Sequence, residues 1–209
     1  PKMVLIDTIF LKTLPKKQII CGYAEILKHA IIKDRFFFNW LKKNNKNIFL
    51  RESKELIYAI KKSCQIKMFF VNRDVNEKGL RMSLNFGHTF AHAIEVKSNY
   101  SKEITHGEAV LAGMILETRL SLIKKVCKLN VLKEIEEIYF NNNLNYTYKN
   151  FSNAKKIIDL IPFVKNDKKN NDEKINFILL RKIGKTTKSN EFKMSLEDLK
   201  KKSRFIAQY

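Results

Sequence analysis

Gln18-Ile19-Ile20-Cys21-Gly22-Tyr23-Ala24-Glu25-Ile26-Leu27-Lys28-His29-Ala30-Ile31-Ile32-Lys33 is the stretch that decides the fold class. Its apolar residues Ile19, Ile20, Tyr23, Ala24, Leu27, Ala30 and Ile31 recur at steps of three and four, the pattern of a helix with one buried face. Working outward, residues 36–41 continue as a second, aromatic helical piece, and the asparagine-rich residues 44–47 read as a loop. Ser53 then caps a long helix carrying Leu56, Ile57, Ile60, Cys64, Ile66, Met68 and Phe69. Residues 76–79 form a turn, and residues 84–95 are helical in pattern despite Gly87. Thr105 followed by Glu108 makes a capping box, and Val110, Leu111, Met114, Ile115 and Leu120 come directly after it. Residues 132–140 and 154–160 supply two further helices. Residues 141–143 and 165–174 are polar loops, and only residues 3–7 and 176–180 read as strands. The expected fold is mainly α with a few short strands, and no internal repeat is visible.

Composition narrows the functional classes. The 209 residues are 44% hydrophobic and 30% charged, which suits a folded core and excludes a disordered chain. Six glycines and three prolines are too few for the many tight turns of an all-β fold. No apolar run approaches the roughly 20 residues of a spanning helix, and the first residues do not show the charged-then-apolar pattern of a signal peptide. Cys21, Cys64 and Cys127 are scattered and odd in number, so neither a disulfide framework nor a zinc ribbon is indicated. A soluble protein of the reducing cytoplasm fits best. The formal charge of +20 raises nucleic acid as a partner. The cations are 34 lysines against seven arginines, spread over the whole chain, whereas readers of phosphate and base favour arginine. No specific nucleic-acid partner is expected.

Three of the four histidines, His88, His92 and His106, fall within nineteen residues. On a helix His88 and His92 share a face, and His106 can return to them after a loop. Spacing alone leaves this open between a metal site and a helix face with ordinary hydrogen bonds.

Longer strings add to that reading. Residues 79–95, with the sequence GLRMSLNFGHTFAHAIE, followed by His106-Gly107-Glu108-Ala109-Val110 and Gly113-Met114, resemble the 3-dehydroquinate synthase family. So do Pro1-Lys2-Met3-Val4, Ile6-Asp7-Thr8, Thr13-Leu14-Pro15 and Gly22-Tyr23-Ala24-Glu25-Ile26-Leu27-Lys28. The likeness covers nearly the whole chain and fades after residues 167–169 and 183–185. One departure is Ala91, which stands where the family usually has a second glycine.

The resemblance implies the helical metal domain of a two-domain, cytoplasmic, homodimeric enzyme whose other half is a dinucleotide-binding α/β domain. Residues 1–15 are then a strand and linker from that domain, and residues 16–209 the metal- and substrate-binding domain. The chain reads as the back part of something longer. The matching positions imply that Glu25, His88 and His106 hold a divalent ion, Zn2+ or Co2+, while His92 serves proton transfer near the substrate phosphate. They also imply that Lys28, Lys67, Arg81, Asn85 and one lysine of the pair Lys168 and Lys169 bind a small anionic sugar phosphate. Phe10, Leu11, Lys12 and Thr13 match a segment that touches NAD. The implied reaction is conversion of 3-deoxy-D-arabino-heptulosonate 7-phosphate to 3-dehydroquinate and phosphate, in the shikimate pathway. NAD transiently oxidises a ring alcohol, phosphate is eliminated, and an aldol step closes the ring. Alternatives are a related metal-dependent polyol dehydrogenase or cyclitol synthase, an inactive remnant, and a basic binding module.

Overall fold

The computed structural model describes residues 2–51, 54–101, 103–151, 153–164 and 174–208. Its helices are α1 (Lys16–Lys33), α2 (Arg35–Phe49), α3 (Lys54–Arg73), α4 (His88–Lys97), α5 (His106–Ile123), α6 (Leu129–Asn141), the short α7 (Tyr146–Lys149), α8 (Ala154–Ile158) and α9 (Ile161–Val164), and α10 (Leu196–Gln208). Short 3-10 turns cover Thr8–Thr13 and Leu80–Asn85. Strands β1 (Lys174–Phe177), β2 (Leu180–Lys182), β3 (Lys185–Thr186) and β4 (Phe192–Ser195) pair antiparallel as β1 with β4 and β2 with β3. Among the described residues no helix is long and apolar enough to cross a membrane.

α5 is the hub. Fifteen of its eighteen residues, from Gly107 to Ser121, are buried, so it is the helix buried on all sides that a multilayered helical core requires. α1 and α4 lie against it, with Leu27 and Ile31 of α1 and Phe90 of α4 inaccessible to solvent. Glycine sets two of these contacts. A Cβ on Gly113 would meet the Gly87 carbonyl oxygen at 1.9 Å, and one on Gly107 would meet the Cys21 Cα at 2.3 Å. Ala91, fully buried on α4, is accommodated in the same interface.

Several local expectations change. Residues 44–47 are not a loop but the continuation of α2. Asn45 is buried there and accepts a 2.5 Å hydrogen bond from Tyr23 Oη, while Asn44 Nδ2 donates to the Trp40 carbonyl. Tertiary partners thus outweigh the weak helix propensity of asparagine. The helical pattern of residues 84–95 is interrupted, because Gly87 takes φ of 84° and α4 starts only at His88. Residues 3–7 are not a strand. Their side chains are exposed, with Met3 at 79% and Leu5 at 84%, and no described strand pairs with them. The apolar run at 176–180 splits between β1 and β2, and α10, β3 and β4 carry no strong sequence signal. Ser53 and most of the 165–174 segment lie outside the described residues.

Two outcomes follow from the packing. Gly113→Ala must push α4 off α5 at a backbone contact, and is expected to cost about 3 kcal/mol or more, near 6–12 °C in a thermal melt. A melting point within 2 °C of the parent would contradict the close approach. His29, on α1, is buried and pairs through Nδ1 with Ser63 Oγ of α3 at 2.7 Å. Burial, then the Lys28 charge, pushes its pKa down from 6.5 to about 4. Between these values the unfolded chain takes up the proton and the folded chain does not, so stability present above about pH 6.5 is lost as pH falls. From pH 7.5 to pH 5 this group should remove about 2 kcal/mol. His29→Gln should show a smaller fall over that interval in denaturant unfolding, and an equal fall would exclude His29 as its source.

Candidate metal centre

α1, α4 and α5 converge on one cluster. One ligand atom each from Glu25, His88 and His106 lies within 4.8 Å of the others, a separation that one divalent ion can span. The backbone explains the convergence. Cys21 and Glu25 are one turn apart on α1, so the close contact of Cys21 with Gly107 also brings Glu25 beside His106. His106 is the first residue of α5, pinned by a capping box in which Thr105 Oγ1 accepts from the Glu108 N–H and Glu108 Oε2 accepts from the Thr105 N–H at 2.9 Å. Tyr146 Oη donates to the other Glu108 oxygen at 2.7 Å.

His88 is placed by a buried carboxyl group. Glu117 of α5 accepts from the Gly87 N–H at 2.6 Å and the Thr89 N–H at 3.1 Å, satisfying buried donors at the start of α4 that have no partner within the helix. Burial raises the Glu117 carboxyl to about 8, against the opposing pull of these N–H groups.

Each imidazole has one nitrogen engaged. His88 Nδ1 lies 3.3 Å from the Phe86 carbonyl, which can only accept, so Nδ1 carries the proton and Nε2 is left with its lone pair, 3.9 Å from Glu25 Oε1. His106 Nδ1 lies 3.0 Å from Glu95 Oε1. Burial first, and the Lys28 charge second, push His88 down to about 3, so it is neutral in the range where imidazoles ligate. Lys28 is nearly buried and pairs with both Glu25 oxygens at 2.8 and 3.0 Å. Burial lowers the Lys28 pKa in spite of Glu25. Burial acts against the Glu25 carboxylate too, but Lys28 more than offsets this and holds the carboxyl below its ordinary range.

A cleft of about 180 Å3 opens beside the cluster, lined by Glu25, Lys28, Lys67, Arg81, Asn85 and His88 among others. The Asp74 carboxylate organises its rim by accepting the backbone N–H groups of Lys78, Gly79 and Arg81. Glu77 accepts from Asn85 Nδ2 at 2.8 Å and lies 4.0 Å from Arg81 Nε. The sequence-predicted site residues thus divide. His92 does not line the cleft; its ring stands edge-on to His88, with centroids 5.5 Å apart. Phe10, Leu11, Lys12 and Thr13 lie in the first 3-10 turn, outside the cleft lining, and Arg51 donates to the carbonyls of Lys12 and Leu14. Lys168 and Lys169 fall outside the described residues. Sequence reading missed Glu95 and Glu117. Glu95 had a usable signal, since 88, 92 and 95 follow the i, i+4, i+7 stripe of one helix face; Glu117 had none, being one polar residue in an apolar helix.

The family model and the curated relatives point to one family. Residues 22–170 match the family model described as 3-dehydroquinate synthase C-terminal. The chain is 42% identical over 184 residues to the 3-dehydroquinate synthase of Pelagibacter ubique, covering 88% of this chain and 50% of that protein. It is 45% identical over 144 residues to that of Buchnera aphidicola, covering 69% and 39%. The chain spans about half the length of the curated relatives it matches. Among solved structures, 2-epi-5-epi-valiolone synthase from Streptomyces hygroscopicus, with NAD+ and Zn2+ bound, superposes with a TM-score of 0.76 at 23% identity, covering 98% of this chain and 55% of that one. 2-Deoxy-scyllo-inosose synthase with carbaglucose-6-phosphate, NAD+ and Co2+ gives 0.76 at 23%, covering 95% and 54%. These two likenesses show the fold alone. By its sequence this chain belongs to the 3-dehydroquinate synthase family, matching its C-terminal part.

Proposed function

We propose that residues 16–209 form the metal- and substrate-binding half of a 3-dehydroquinate synthase, and that residues 1–15 belong to the connection with a dinucleotide-binding half. The observation that carries this reading is the convergence of Glu25, His88 and His106 beside a cleft lined by Lys28, Lys67, Arg81 and Asn85. A carboxylate and two imidazoles suit a divalent ion and leave a position open for substrate. The solved neighbours hold Zn2+ or Co2+ with NAD+, which supports the same cofactors here. When bound, the ion supplies Lewis-acid polarisation of a hydroxyl, and the nicotinamide accepts and returns hydride.

The chain's own residues bind and orient. Lys67, Arg81 and Asn85 offer cationic and amide donors to the carboxylate, hydroxyls and phosphate of the heptulosonate phosphate, with Lys168 or Lys169 completing the set. Lys28, held beside Glu25, directs an ammonium toward the bound anion. His92 exchanges a proton near the phosphate, a role open to an imidazole. Phe10, Leu11, Lys12 and Thr13 contact the nucleotide once both halves are present. The complete enzyme is then a cytoplasmic homodimer. An anion clamp at the metal favours this substrate over a simple alcohol, whose binding needs no such charges. Relatives near 40% identity point to 3-dehydroquinate synthase over the cyclitol synthases at 23%.

The full chain should bind one Zn2+. His88→Ala, His106→Ala and Glu25→Gln should each weaken it by more than the roughly 10–100-fold that loss of an outer-shell partner costs. His92→Ala should leave the ion bound, and equal loss for all four variants in a chelator competition would overturn the assignment. The activity is tested by phosphate release from the heptulosonate phosphate with NAD+ and Zn2+. We expect none from the 209-residue chain alone and turnover once a nucleotide-binding half is supplied. In that assembled enzyme Arg81→Ala and Lys67→Ala should weaken substrate about ten- to a hundredfold, each losing a charge-assisted hydrogen bond. Turnover by the chain alone, or unchanged affinity in both variants, would contradict this reading.

A further inference from the structure

We infer that Glu95 is the positioning residue for His106, fixing the imidazole with its proton on Nδ1 and its lone pair on Nε2 turned to the metal cluster. This rests on the metal-binding reading above and deepens it. The two imidazoles of the cluster are held differently. His88 is only 14% exposed and has the Phe86 carbonyl for its Nδ1, supplied by its own chain two residues away. His106 is 43% exposed and stands at the very start of α5. Its backbone is fixed by the capping box, but its exposed ring depends on a partner to select a rotamer and a tautomer.

That partner is Glu95 of α4, at 3.0 Å from Nδ1, with a side chain that is itself only 16% exposed. A carboxylate accepts and cannot donate when ionised, so the contact places a proton on Nδ1, and in the neutral ring the lone pair is then on Nε2. Glu95 lies two turns beyond His88 on the same helix face, so α4 supplies both a ligand and the orienting group of a ligand on another helix. A carboxylate behind a metal-bound imidazole also makes the ring a stronger donor to the ion.

The test uses the full chain. In the metal-free protein, nitrogen-15 imidazole shifts should report the Nδ1–H tautomer for His106. In Glu95→Ala they should move toward the Nε2–H form that unconstrained imidazole prefers. Zn2+ affinity, by competition with a chromophoric chelator, should fall about ten- to a hundredfold in Glu95→Ala. Glu95→Gln, which keeps an acceptor but not the charge, should lie between Glu95→Ala and the parent, and it carries the test if Glu95→Ala fails to fold. An Nε2–H tautomer in the parent overturns the inference. So does unchanged Zn2+ affinity in both variants, or a loss of affinity with the tautomer unmoved, which would make Glu95 merely structural. A parent chain that binds neither Zn2+ nor Co2+ overturns the metal reading itself, and this inference with it.

Discussion

The structure depends on how closely α1 and α4 approach α5, at contacts that a Cβ at Gly107 or Gly113 would forbid. Helices packed through ordinary side chains sit 8–10 Å apart, and at that spacing Glu25, His88 and His106 would separate. The glycines therefore act on the metal cluster without touching it. Gly107 draws the start of α5 onto α1 near Glu25, and Gly113 draws the start of α4 onto α5 near His88. Glu117, one turn beyond Gly113, ties down the freed N–H groups of the same α4 terminus. Stability and site geometry are consequently one problem in this domain.

Electrostatics set a second constraint. A buried ammonium is tolerated only with a partner, and Lys28 finds one in Glu25, itself a member of the metal cluster. The carboxylate is thereby kept ionised, and the charge of Lys28 disfavours protonation of His88. The cluster holds its groups in the protonation states that cation binding uses: an anionic oxygen and an unprotonated imidazole nitrogen. The net charge of +20 is a poor guide to this site. What matters is that Lys28 is buried against a candidate ligand.

The parts legible in the sequence are those with local causes. The capping box of Thr105 and Glu108 and the 3.6-residue period of residues 18–33 are both complete within a few turns, and both helices stand. Residues 44–47 misled because the polar contact that keeps them helical, Tyr23 to Asn45, is made between two helices. Residues 3–7 misled in the opposite sense: the pattern is that of a strand, but a strand exists only with a neighbour to take its hydrogen bonds, and no described strand does so. For the site, residue types and spacing brought His88, His92 and His106 to attention but could not separate ligand from neighbour. Glu25, sixty-three positions from His88, was reachable only through resemblance.

The rim of the cleft shows why such a site needs acids as well as bases. Arg81 and Asn85 sit on a short 3-10 turn, a form whose hydrogen-bond geometry is poorer than that of an α-helix. Asp74 compensates by accepting three backbone N–H groups, including that of Arg81, and these bonds hold its carboxyl below the ordinary range. Glu77 does the equivalent for the side chains, accepting from Asn85 and facing Arg81. A guanidinium and an amide placed in this way lose little further freedom on meeting an anion, which is the physical advantage of preorganisation. The acids that line this rim are therefore no argument against an anionic ligand, because they shape the donors that would receive it.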